Sequence, residues 1–137
     1  MKSLIKNFLI LITIIFCINA AVYAALDNDD YEGNIFTIVT GNGALVPPSS
    51  TLGESLANKR TSVLVFYLDD SRTSKAFAPV VSGIKLLWPS EIDLIPLTTD
   101  ELQNIITDDP KDPAYYWNGN IPQVVVINGE GEVILSE

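Results

Sequence analysis

Histidine is absent from this 137-residue chain, and cysteine occurs once, at position 17. Cys17 lies inside an apolar N-terminal stretch, so the rest of the chain has neither thiol nor imidazole. That remainder can form no disulfide and offers no thiolate nucleophile. It also has no imidazole base or metal ligand. Basic residues are scarce too: eight Lys and Arg stand against seventeen Asp and Glu, a net charge of −9. A surface of that sign repels nucleic acid and anionic lipid. It reads either as a well-solvated acidic exterior or as a match for basic partners.

Lys2 and Lys6 precede the apolar run 8–18, and Ala20, Ala21 and Ala24 follow it. A basic start, an apolar core and a small-residue exit make an export signal with cleavage after Ala24. The competing reading is an uncleaved membrane anchor, because 8–26 is close to the ~20 residues that span a bilayer. Under both readings the lysines stay cytoplasmic and the domain is translocated, with membrane association through the N-terminal segment if it is kept. Phe16 is not the small residue that a lipoprotein signal needs, so Cys17 reads as an ordinary signal residue. The expected organisation is 1–24 signal or anchor, 25–33 acidic lead-in (Asp27, Asp29, Asp30, Glu32) and 34–137 a single folded domain. The exported part keeps six of the eight basic residues and all the acidic ones.

Residues 34–40 are rich in β-branched and aromatic side chains, which predicts a strand. Thr51 with Glu54 is a capping-box pattern for a short helix over 52–58. The unbroken apolar run 63–68 predicts a strand buried on both faces of a largely parallel sheet. Phe77, Val80, Val81, Ile84 and Leu87 or Trp88 recur at helical spacing, so 73–87 should be a helix kinked at Pro79. Strands follow at 92–97, 121–127 and 132–136, the last two joined by an Asn128-Gly129-Glu130-Gly131 turn. Thr98 or Thr99 caps a short helix over 99–106, and 107–120 is a long loop. The order βαβαβα-hairpin is an α/β layer fold with a mixed β-sheet flanked by helices.

The stretch 71–79, Ser71-Arg72-Thr73-Ser74-Lys75-Ala76-Phe77-Ala78-Pro79, directly follows that buried strand. Strand, polar turn and a helix carrying Lys75-x-x-Ala78-Pro79 resemble a thioredoxin active-site segment. Ile121-Pro122 at the head of a later strand is similar to the cis-proline that faces that turn, and the Asn-Gly hairpin follows in the same order. The resemblance to the thioredoxin fold covers 34–137, with Ser71 and Ser74 in place of the two cysteines. The wording of 66–72, 77–81, 112–116 and 122–125 further resembles a cyanobacterial family of thioredoxin-like thylakoid proteins, the photosystem I accumulation factors. That resemblance implies a thylakoid-associated, lumen-facing protein that supports photosystem I build-up by binding a photosystem subunit or assembly factor.

Two departures stand out. Asp69-Asp70 occupies a place where thioredoxins commonly carry an aromatic residue. The hairpin also ends at Glu137, whereas that fold finishes with a helix. One set of the alternating Val124, Val126, Val133 and Leu135 side chains is therefore expected to lack cover, marking a partner, membrane or self-association surface; the alternatives are a shortened gene product or cover from the N-terminal segment.

Serine hydroxyls cannot exchange disulfides, and without a histidine no base activates Ser71 or Ser74; Asp69 and Asp70 are poor bases and Lys75 is expected to be charged and solvated. The expectation is no enzyme and no cofactor, with 71–73 capping the helix. A docking edge for an extended peptide would comprise Ser71, Arg72, Thr73, Ser74, Ile121 and Pro122. Asp108, Asp109 and Asp112 lack the spacing of a calcium loop and read as solvated. Tyr115, Tyr116 and Trp117 read as closing over the core rather than as an exposed contact point.

Overall fold

The computed structural model describes residues 33–137; the signal or anchor and nearly all of the acidic lead-in lie outside the described residues. Thr61–Tyr67 forms strand β1, buried along its whole length except Thr61. Ile92–Thr98 forms β2, Gln123–Ile127 β3 and Val133–Ser136 β4, in the sheet order β2-β1-β3-β4. β2 runs parallel to β1, with Thr61 opposite Ile92 and Tyr67 opposite Thr98. β3 pairs antiparallel with β1, placing Gln123 opposite Phe66, and β4 pairs antiparallel with β3 through a register shift at Val126 and Ile127.

A parallel pair needs a long crossover. Helix α3, Arg72–Leu87, supplies it and runs through Pro79 without ending there. Two shorter helices precede the sheet: α1, Ile35–Thr40, and α2, Leu52–Ala57. α2 carries both halves of the expected capping box: Glu54 N–H donates to Thr51 Oγ1 at 3.2 Å and Thr51 N–H donates to Glu54 Oε2 at 2.8 Å. Those bonds hold the fully exposed Glu54 carboxyl below its ordinary value.

The two sheet faces bury separate cores. On one, Val63, Val65 and Tyr67 pack with Ile35 and Phe36 of α1 and with Ala78 and Val81 of α3. On the other, Leu64, Phe66, Val125 and Ile127 pack with Leu52 and Leu56 of α2 and with Tyr116 and Trp117. The result is an α/β fold, a mixed four-stranded sheet with flanking helices, consistent with a thioredoxin-like arrangement.

Two expected elements differ. Residues 34–40 form α1, not a strand. Asn34 Oδ1 accepts from Phe36 N–H at 3.0 Å, and Gly41 closes the helix in a left-handed conformation with φ 66°. Burial of Ile35 and Phe36 on one helical face outweighs the weak β preference of Ile, Val and Thr. Residues 99–106 form successive turns rather than a helix. Leu102 N–H donates to the Thr99 carbonyl and Ile105 N–H to the Leu102 carbonyl, three-residue spacings that propagate no further. Only Leu102 finds cover while Ile106 is 99% exposed, so no buried apolar face offsets helix nucleation. The Asn128–Gly131 turn forms as expected: Asn128 Oδ1 accepts from the N–H groups of Glu130 and Glu132.

Candidate functional site

β1 ends where β3 begins, so the turn after Tyr67 and the segment before Gln123 meet at one end of the sheet. The Ile121–Pro122 peptide bond there is cis, as the resemblance implied, and Val46–Pro47 is cis as well. Pro122 and Phe77 line one shallow cavity of about 340 Å³, which brings the head of β3 against the first turns of α3.

The serines act as structural caps. Ser71 Oγ accepts from Ser74 N–H at 3.3 Å, and its oxygen lies 2.8 Å from Thr73 Oγ1. Ser74 is buried; its Oγ accepts from Leu68 N–H at 3.2 Å and so ties the strand exit to the helix. Of the proposed docking residues, Arg72 and Thr73 are exposed, and Ser71, Ile121 and Pro122 are half-buried. Ser74 is inaccessible to a peptide. Lys75 is a second correction: it is only 4% exposed rather than solvated, because its place on α3 faces the sheet. Its charge favours the ionised form of Asp69.

Asp69 has a role that the sequence reading missed. Its Oδ1 accepts from Ile35 N–H at 2.8 Å, capping α1 from 34 residues away. Beside it, Asn34 Nδ2 donates to the Tyr67 hydroxyl at 2.6 Å, and the Phe36 and Tyr67 rings meet edge to face at 5.1 Å. Burial raises the Asp69 carboxyl above its ordinary value; the Ile35 bond opposes this, the charges of Asp100 and Asp70 add to it, and Lys75 lowers it. Burial, with Asp69 nearby, pushes Tyr67 up to about 12 against the lowering effect of the Asn34 bond. The available signal was Asn34 followed by apolar residues at helical spacing and then Gly41, the two ends of a capped helix.

On the other face the long loop is fixed by Gln123, which is buried. Its Oε1 accepts from Asn118 N–H and its Nε2 donates to the Tyr116 carbonyl, both at 2.9 Å. Tyr116 and Trp117 close over the core as expected, whereas Tyr115 is 51% exposed. Burial, followed by the neighbouring Tyr115 and Asp109, raises the Tyr116 hydroxyl, which donates to the Pro110 carbonyl at 2.8 Å. Asp109 and Asp112 are spent on the loop itself, accepting from Lys111 N–H and Ala114 N–H. Among the described residues no three His, Cys, Asp or Glu side chains converge as a metal site. No helix among them is long and apolar enough to cross a membrane.

The turn after β1 and the cis Ile121–Pro122 bond lie at the same end of the sheet, and the Ser71 and Ser74 hydroxyls of that turn serve as hydrogen-bond acceptors for backbone N–H groups. No protein-family model matches the chain. It is 39% identical over 111 residues to thylakoid membrane protein slr1796 of Synechocystis sp., a match that takes in 81% of this chain and 55% of that protein. The chain thus spans about half the length of the curated relative it resembles, and that relative is a protein of the cyanobacterial thylakoid membrane.

Proposed function

We propose that this is a non-catalytic thylakoid protein that supports photosystem I accumulation by binding a photosystem subunit or an assembly factor on the lumenal side. The observation that carries the reading is the 39% identity to a thylakoid membrane protein in a chain whose turn after β1 holds serines and no cysteine. The photosystem link itself comes from the family resemblance of 66–72, 77–81, 112–116 and 122–125. The binding edge is Ser71, Arg72, Thr73, Ile121 and Pro122.

A photocrosslinking residue at position 71 or 121, activated in native membranes, tests this. Capture of a photosystem I subunit or a dedicated assembly partner supports it, and normal photosystem I levels in a strain lacking the gene refute it. The second reading is a general exported peptide-binding module, favoured by the generic character of a backbone-lined edge. It predicts a broad set of captured peptides. A residual thiol-disulfide oxidoreductase has least support, since Cys17 is the only thiol; it predicts insulin reduction by the exported domain.

A further inference from the structure

Three Asn-Gly steps occur in the chain, at 42–43, 118–119 and 128–129. Each is open in principle to self-modification, because glycine has no Cβ to shield its amide nitrogen from the preceding side-chain carbonyl. As dipeptides the three are equivalent; the fold separates them. Asn128 is held most firmly. Its Oδ1 accepts from the N–H groups of Glu130 and Glu132 at 3.0 and 2.9 Å, and its Nδ2 donates to Glu132 Oε2 at 2.9 Å. Gly129 is half-buried against the Lys59 carbonyl. Asn42 is half-buried and pinned on both sides of its backbone. Its N–H donates to the Phe36 carbonyl at 2.9 Å, and its carbonyl accepts from Leu45 N–H at 3.4 Å. A Cβ on Gly43 would stand 3.1 Å from Thr37 Oγ1, so that glycine is packed as well.

Asn118 differs from both. Asn118, Gly119 and Asn120 are all exposed, and Gly119, at φ 90°, has no atom beyond its chain neighbours within 4 Å of where a Cβ would stand. The Asn118 N–H is anchored on Gln123 Oε1, yet Gly119 makes no hydrogen bond among the described residues. The Asn118 side chain has a single bond there, from Asn120 N–H to Oδ1 at 2.9 Å, and nothing holds its Nδ2. That bond draws electron density from Cγ and stabilises the oxyanion that attack on Cγ creates.

We propose that Asn118–Gly119 is a self-modification site that converts Asn118 to aspartate and isoaspartate and so remodels the neighbouring edge at Ile121 and Pro122. The Gly119 nitrogen gives its proton to hydroxide and attacks Asn118 Cγ. Nδ2 takes a proton from water and leaves as ammonia, closing a cyclic imide. Water then opens the imide: cleavage of the new C–N bond gives aspartate, and cleavage of the original peptide bond gives isoaspartate, whose main chain runs through Cβ and Cγ. Both products place a negative charge at 118. Isoaspartate also lengthens the main chain by one methylene between the Gln123 anchor and the cis Ile121–Pro122 bond. Any effect on a bound partner rests on the protein-binding reading; the conversion itself does not.

The full chain is incubated at neutral and mildly alkaline pH and digested under mildly acidic conditions. Mass spectrometry with electron-transfer fragmentation then follows the three Asn-Gly peptides and distinguishes aspartate from isoaspartate. Conversion at 118 should be at least about tenfold faster than at 128, where three hydrogen bonds must break first. It should also outpace 42 and accelerate as pH rises. In urea the three rates should converge, and Glu132→Ala should speed conversion at 128 while leaving 118 unchanged. In the converted chain, isolated by anion exchange, amide exchange over 118–124 should accelerate. Conversion at 118 no faster than at 128, or an order of rates that survives in urea, overturns the site. Unchanged exchange over 118–124 overturns the remodelling. These measurements contain no partner, so crosslinks from position 121 test the protein-binding reading separately and either can fail alone.

Discussion

Replacing Asp69 by alanine removes the acceptor that closes the N-terminus of α1, leaving the Ile35 N–H without its partner on a residue that is 2% exposed. An orphaned buried donor costs about 1–3 kcal/mol. Part of that is offset, because the substitution also removes a half-buried charge beside Asp70 and Asp100. A net loss of about 1 kcal/mol corresponds to a fall in Tm of about 4–8 °C for a domain of this size. Asp69→Asn separates the two effects, since its side-chain oxygen can still accept from Ile35 while carrying no charge.

The pH dependence has a definite sign. A carboxyl whose folded pKa is raised binds protons more readily in the folded state, so stability falls as pH rises through the window above its unfolded value of about 3.9. Asp69→Asn should therefore match the parent near pH 4 and equal or exceed it at pH 7, while Asp69→Ala is less stable than the parent at pH 7. Circular dichroism melts of the three proteins at both pH values provide the measurement. The reasoning is refuted if Asp69→Ala melts with the parent at pH 7, or if Asp69→Asn is as destabilised as Asp69→Ala.

Gly129→Ala places a Cβ 2.3 Å from the Lys59 carbonyl oxygen, a backbone atom that cannot move aside alone. A loss of about 1–3 kcal/mol in urea denaturation is expected from such overpacking. Gln123→Leu leaves the Asn118 N–H and the Tyr116 carbonyl unpaired. Amide exchange over 112–120 should accelerate more than exchange in β1, and stability should fall by about 1–3 kcal/mol. Trp117 buries its indole N–H without a protein partner among the described residues. Trp117→Phe should consequently change stability by less than about 1 kcal/mol, the lost ring area being offset by the removed polar atom.

The helices and strands with strong local signals were legible without coordinates. Val63 to Leu68 reads as a buried strand because nothing polar interrupts it, and β1 occupies that region. The α3 periodicity places Phe77, Val81 and Ile84 on the core side, where they lie, whereas Val80, Leu87 and Trp88 of the same pattern are 53%, 69% and 48% exposed. Thr51 and Glu54 announce α2, since a capping box needs only two residues three apart. Short segments were less legible. Residues 34–40 carry a strand's composition, and their burial against α3 and β1, with caps from Asn34, Asp69 and Gly41, makes them helical. The turns at 99–106 have a helix's cap but not its buried face.

The candidate site divides in the same way. Ser71 as a cap follows from local sequence, and the cis bond before Pro122 from the family resemblance. The burial of Ser74 and Lys75, the clasp of Asp69 and Tyr67 on α1, and the anchoring of the loop by Gln123 do not. Asp69 and Ile35 are separated by 34 positions, and the burial of Ser74, Lys75 and Gln123 depends on which face each turns toward the sheet. Sequence alone determined which side chains this protein can use and where its main helix and strands run, because composition and periodicity are local properties. Tertiary structure alone decided which polar groups are enclosed, because that depends on which faces the sheet brings together.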